Sequence, residues 1–135
     1  MNKKSLVDFL TRCNAVAQSE ADLMDTWSAA RLGMGDAVGG NYCADRARDI
    51  RPALTSNTAS LLKSAKELPE ERVKNAPNAD ELSALGKCEG VYATRAALPV
   101  VSLSTTEVCK QAFDSRTNAT QASNLASRVF ARCVT

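Results

Sequence analysis

The apolar residues of this chain recur every three or four positions along most of its length. Near the start, the residues that share one face are Leu6, Phe9, Leu10, Cys13, Val16 and Ala17. This spacing is the period of an α-helix and not the two-residue alternation of a half-buried β-strand. Aromatic residues make up only 4% of the chain, so Ala, Leu and Val must build the core, and such side chains suit close helix packing. The pattern therefore predicts an all-α fold.

The length sets the number of domains. A chain of 135 residues is close to the usual size of one domain and can bury a single core. We therefore predict a single helical domain over residues 1–135, built as a bundle of five or six helices.

Capping residues, glycines and prolines predict where the first helices begin and end. The first helical pattern runs to Leu32, and Ser19 either starts a fresh helix within it or lies on one continuous helix. Residues 33–40 contain four glycines and predict a loop. An apolar stripe then crosses Pro52, which either begins a helix reaching about Leu68 or kinks an existing one.

The second half of the chain has its own boundary signals. Residues 69–77 begin and end with proline and form a charged connector, and Asn78 is a good N-cap for the helix that follows. Ser104 opens a capping box that predicts a short helix. Ser115 or Thr117 is then predicted to begin the last helix.

Charge and hydropathy argue against nucleic-acid binding and against a membrane-spanning segment. The chain has 17 basic and 15 acidic residues, with the signs interspersed and no basic stripe, so we predict no nucleic-acid partner. No apolar run approaches the length that crosses a bilayer, so we predict no transmembrane segment.

The residues that usually carry catalysis or bind metals are scarce. The chain has no histidine and no pair of cysteines at the C-x-x-C spacing. Common acyl-transfer sites need a histidine base, and common zinc sites need closely spaced ligands. We therefore predict no catalytic site, no metal site and no cofactor.

The cysteines pose a question about oxidation state. They are Cys13, Cys43, Cys88, Cys109 and Cys133, and each falls on the apolar stripe of its predicted helix, so all five should be buried. They are either reduced core residues or form two disulfides that staple helices and leave one free thiol. Their number in one modest domain favours disulfides, with the pairing unknown. This interpretation predicts a periplasmic or secreted protein, although a cytoplasmic location stays open.

Together these features favour a non-catalytic helical module that binds another protein, of the inhibitor, immunity or adaptor type. One alternative is a carrier of small apolar ligands, with a cavity near Trp27, Tyr92 and Phe113. A second alternative is a redox protein or enzyme that uses one of the cysteines.

The two longest interruptions of the helical pattern are the candidate binding loops. They are the glycine-rich residues 33–40 and the connector 69–77, and loops on a rigid scaffold commonly carry recognition. Residue types that often anchor interfaces lie in or beside them. These candidate interaction residues are Met34, Tyr42, Arg46, Arg48 and Arg72.

Overall fold

Four helices form the protein in a computed structural model that describes residues 1–135. Helix α1 is Asn2–Gly33; α2 consists of Ala37–Asp49, a π-helical stretch Ile50–Thr55, and Ser56–Glu67; α3 is Ala79–Ala96; and α4 is Thr105–Cys133. The predicted all-α fold is confirmed. The predicted number of five or six helices is wrong. None of the four helices is both long and apolar enough to cross a bilayer.

Of the two alternatives at Ser19, the continuous helix is the one that forms, and the boundary predicted at Ser115 or Thr117 does not exist. Ser19 lies within the continuous helix α1, and Asp22, which would have closed its capping box, instead accepts from Arg51 of α2. Ser115 lies within α4, and its hydroxyl donates to a Glu20 carboxylate oxygen over 2.8 Å. The two caps predicted at Asn78 and Ser104 are confirmed, since their side chains accept from Glu81 and Glu107 backbone N–H groups.

Pro52 lies within α2 and does not end it. A proline inside a helix lacks the N–H that would donate to the preceding turn, and its ring crowds that turn. Here the backbone changes to π-helical hydrogen bonding over Ile50–Thr55 and then returns to an α-helix. The proline therefore marks a local change of register within one helix.

The glycine-rich segment is mostly helical. Helix α2 already begins at Ala37, so Met34, Gly35 and Asp36 alone separate α1 from α2. Gly35 has a φ of +87°, a left-handed conformation that favours glycine. Within α2, a Cβ on Gly40 would lie 2.6 Å from Leu32 Cγ, so this glycine lets α2 pack closely against the end of α1.

The core consists of three apolar clusters arranged along α1. The first gathers residues from every helix around Leu6, Leu10 and Cys13, and the second surrounds Met24 and Trp27. A small third cluster of Ala17, Ala21, Ile50 and Ala119 lies between α1, α2 and α4. Helix α1 contributes to all three clusters and is the central helix of the bundle.

The predicted disulfides are absent, because all five cysteines are free thiols. Cys13, Cys88 and Cys133 pack in the first cluster and Cys43 in the second, where each fills the place of a small apolar side chain. Cys109 is half-buried, so the prediction that all five are buried is wrong for this residue.

The chain ends are fastened to the connector before α3. Val73 and Val134 form an isolated antiparallel bridge, and Arg72 Nε donates to the Thr135 carbonyl over 2.7 Å. Asn2 Nδ2 also donates to the Val73 carbonyl, over 3.4 Å. The connector, the start of α1 and the end of α4 therefore meet at one end of the bundle.

Candidate functional site

Exposed apolar side chains collect at the opposite end of the bundle, around the α1–α2 turn. We call them the tip surface, and they are Leu32, Met34, Val38 and Val101, which are 45%, 50%, 70% and 60% exposed. The first three lie on the α1–α2 turn and its flanking helix ends, and Val101 lies on the short 3-10 turn between α3 and α4. Scattered exposed apolar residues are ordinary, but a group at one place is typical of a binding surface.

Arg31 holds the two turns of the tip together. Its side chain is buried although it lies next to the exposed Leu32. Nη1 donates to the carbonyl oxygens of Val100 and Leu103 over 3.1 and 2.7 Å, and Nε donates to Asp36 Oδ2 over 2.8 Å. One guanidinium therefore fastens the α3–α4 turn to the α1–α2 turn, and the tip residues stand on a fixed backbone.

Asp36 completes this arrangement as the N-cap of α2. Its Oδ1 accepts from the Gly39 backbone N–H over 3.0 Å while its Oδ2 binds Arg31. The hydrogen bond from Gly39 and the contact with Arg31 lower the pKa of the Asp36 carboxyl. A side chain on Gly39 would force the Asp36 carboxylate to move, since a Cβ would lie 2.3 Å from Asp36 Oδ2.

Four of the five predicted interaction residues lie on the tip or on the following helix. Met34 is in the turn itself. Tyr42 is half-buried against the second cluster, and the Arg46 guanidinium carbon lies 4.5 Å from the centre of its ring. Arg46 Nε also lies 2.7 Å from Asp49 Oδ2, and Arg48 pairs with Asp45. The two arginines are therefore engaged by neighbours on their own helix.

Arg72 is separated from the other four residues. It belongs to the connector that contacts the first residues of α1, whereas Met34 follows the last residue of α1. A helix of 32 residues is about 48 Å long. The five predicted residues therefore do not form one surface, because α1 places the two candidate loops at opposite ends of the bundle.

The sequence interpretation did not select Arg31, Val38 or Val101. A signal for Arg31 was present, since it lies four residues after Trp27 on the apolar face of α1. A charged residue on an apolar face indicates a buried partner. Nothing in the sequence placed the turn that carries Val101 beside the α1–α2 turn. The hydrogen bond that joins the two turns runs from Arg31 to the Val100 carbonyl, and these residues are about 70 positions apart.

A buried polar cluster lies at the middle of the bundle. Glu20 of α1 is 0% exposed and Arg95 of α3 is 3% exposed, and Arg95 Nη1 donates to Glu20 Oε2 over 2.5 Å. Ser115 and Asn118 of α4 donate to Glu20 over 2.8 and 2.9 Å. Burial raises the pKa of the Glu20 carboxyl, while Arg95, Asn118 and Ser115 oppose that rise. This cluster ties three helices together.

A furrow runs along the outside of α3 and α4 above this cluster. Its widest part has a volume of about 770 Å³ and is lined by residues including Gly90, Val91, Arg95, Leu98, Gln111 and Asn118. A second depression of about 330 Å³ shares Val91 and Asn118 with the first and continues past Leu125. The furrow is open, and most of its lining residues are polar or charged, although their apolar atoms form most of its surface.

The predicted aromatic cavity does not form around its three residues. Trp27 is buried in the second cluster, while Phe113 is half-exposed with the Arg116 guanidinium 5.3 Å from its ring centre. None of the five main depressions is lined by Trp27, Tyr92 or Phe113. No group of three or more acidic or cysteine side chains is placed to hold a metal ion.

The thiols lie in surroundings that disfavour the thiolate. Burial raises the pKa of Cys13 to about 12 and that of Cys43 to about 11, and the nearby thiols of Cys88 and Cys109 add to the two shifts. Burial also raises the pKa values of Cys88, Cys109 and Cys133. Reactive cysteines have lowered pKa values.

Comparison of the chain with family models, curated proteins and solved structures found no match.

Proposed function

We propose that this protein is a non-catalytic interaction module that binds another protein through the tip surface. The observation that carries the proposal is the group of exposed apolar side chains fixed in place by the buried Arg31. A rigid loop gives up little conformational freedom on binding, so the apolar area that it buries contributes more of its free energy to affinity. The raised thiol pKa values support a non-catalytic role.

The tip has the composition of an interface centre. Met34 and Val38 offer apolar area without charge, and the stacked Tyr42 and Arg46 provide large, partly polar side chains on the next turns of α2. Interface centres are depleted of charged residues and enriched in such large side chains. The prediction of a periplasmic or secreted location depended on disulfides, and the five free thiols give it no support.

The proposal is tested by capturing a partner and then changing the tip. The immobilised protein is incubated with an extract of the source organism, the captured protein is purified, and its affinity is measured by calorimetry. The variant Met34→Ser with Val38→Ser should bind at least about tenfold more weakly, because two buried apolar side chains are each worth over 1 kcal/mol.

Leu82→Ser is the matched control, since Leu82 is 43% exposed but lies on α3, away from the tip. It should bind like the parent, and the melting temperatures of all variants should stay close to that of the parent. If the parent and the double tip variant bind with equal affinity, the tip surface is not part of the binding site.

A further inference from the structure

We infer that the surface that covers the tip is an apolar pocket of a partner protein and carries no charged group that faces the tip. This inference rests on the proposed function and names the kind of surface that the partner presents. Charge is scarce around the tip. Residues 32–44 contain one charged residue, Asp36, and residues 96–106 contain none, although charged residues make up 24% of the chain.

The two charges at the tip are already satisfied by groups of this chain. Arg31 Nη2 lies 2.7 Å from Asp36 Oδ2, and the two side chains are only 4% and 13% exposed. Arg31 Nη1 donates to two carbonyl oxygens of the α3–α4 turn. A charged group of the partner would therefore lose its water at the tip and gain no opposite charge, which is costly.

The start of α2 does not attract an anion, although the N-terminus of a helix is a common anion site. The Asp36 carboxylate occupies that position itself and accepts from the Gly39 N–H over 3.0 Å. In the preceding turn, the N–H groups of Met34 and Gly35 donate to carbonyl oxygens of α1. A phosphate or carboxylate of the partner would therefore lie against a carboxylate, so an anionic partner is disfavoured.

The tip surface has no hollow of its own. None of the five main depressions of the protein is lined by Leu32, Met34, Val38 or Val101. Interface centres pack as densely as protein interiors, which requires complementary shapes. The concave side is therefore left to the partner, and the flexible, unbranched Met34 side chain suits an irregular apolar pocket.

Charges of opposite sign at one tip position test whether the facing surface is uncharged. Val38→Lys and Val38→Asp are compared with the neutral Val38→Gln for binding to the protein captured on the parent. Both charged variants should bind at least about fivefold more weakly than Val38→Gln, because either charge loses its water without gaining a partner. If one of them binds more tightly than Val38→Gln, the facing surface carries the opposite charge and the inference is wrong.

Leu82→Lys and Leu82→Asp are the matched controls on α3, and both should bind the captured protein like the parent. The affinity of the parent should change less than about twofold between about 0.05 and 0.5 M NaCl, since salt screens only interactions between charges. A loss of about tenfold over this range would overturn the inference.

Phosphatidylcholine vesicles separate a protein pocket from an uncharged lipid surface. The parent should not sediment with them, since the tip surface contains none of the aromatic or basic residues that anchor proteins at membrane interfaces. Sedimentation that the double tip variant abolishes would overturn the protein pocket.

The variants also separate this inference from the proposed function. If the double tip variant binds the captured protein weakly while Val38→Lys and Val38→Asp change affinity in opposite directions, the tip keeps its role and only the uncharged pocket is wrong. If the double tip variant binds like the parent, the proposed function and this inference are both wrong.

Discussion

Glu20 and Arg95 form an ion pair that is closed off from solvent at the centre of the bundle. Buried charges are costly unless each has its partner and its hydrogen bonds, and here Ser115 and Asn118 supply the remaining hydrogen bonds to the carboxylate. Because the three helices must align for these bonds to form, the cluster fixes how α1, α3 and α4 are packed relative to one another.

Arg95→Met tests the cluster at the level of one residue. It leaves the Glu20 carboxylate buried without its cation, and the free energy of unfolding at neutral pH should fall by about 3–5 kcal/mol. The measurement is equilibrium urea unfolding. Glu89→Gln is the control, since it breaks the partly exposed Arg12–Glu89 pair that also joins α1 to α3. It should cost no more than about 1 kcal/mol. Equal losses would show that burial does not matter here.

The loss in Arg95→Met should also depend on pH. Without Arg95, the pKa of Glu20 rises further above its value in the unfolded chain, because Arg95 opposes the effect of burial. A folded-state pKa above the unfolded one gives stability that is present in acid and is lost as pH rises through the folded value. Urea unfolding between about pH 5 and pH 8 should therefore show the largest deficit at the alkaline end.

The cysteines should differ sharply in reactivity. With the pKa of Cys13 at about 12 and that of Cys43 at about 11, both remain buried thiols at pH 8. Mass spectrometry after brief iodoacetamide treatment of the reduced native protein should find modification at the half-buried Cys109 first. In denaturant all five should react. Rapid modification of Cys13 in the native protein would contradict the packing described above.

At the scale of the helix, two glycines with opposite surroundings make a matched pair. A Cβ on Gly40 would lie 2.6 Å from Leu32 Cγ and 3.1 Å from the Leu32 backbone nitrogen, whereas one on Gly86 meets nothing within 4 Å. Gly40→Ala should therefore destabilise by about 1–3 kcal/mol through overpacking. Gly86→Ala should stabilise by about 0.5–1 kcal/mol, the usual gain in a helix. Thermal unfolding of both variants gives the comparison, and a stabilising Gly40→Ala would rule out the close approach.

Helix boundaries were predictable where a local cap decides them and not where the core does. Asn78 and Ser104 cap helices through hydrogen bonds to residues three positions away, which the sequence contains directly. Ser115 has the same chemistry, yet its hydroxyl serves Glu20, which is 95 residues distant in the sequence. Such a long-range hydrogen bond overrides the local capping signal. The residues around Ser115 do not indicate that it forms.

Across the whole molecule, α1 contributes to all three core clusters and should make unfolding cooperative. Trp27 is the single tryptophan and is buried in the second cluster near the tip, so its fluorescence reports on that end. Far-UV circular dichroism reports on all four helices. The two urea transitions should coincide. An earlier fluorescence midpoint would mean that the tip end unfolds as a separate unit.

The sequence by itself determined the helical class, the apolar faces and the caps, because each depends on residues within a few positions of one another. Met34 and Tyr42 were predicted near a turn for the same reason. The tertiary structure alone decided that α2 continues through Pro52 and that Arg72 lies at the end of the bundle opposite the tip. It also decided that Arg31 fastens the turn that carries Val101 to the end of α1, and that Glu20 meets Arg95. These outcomes depend on contacts between distant segments, and such contacts form only when the helices pack.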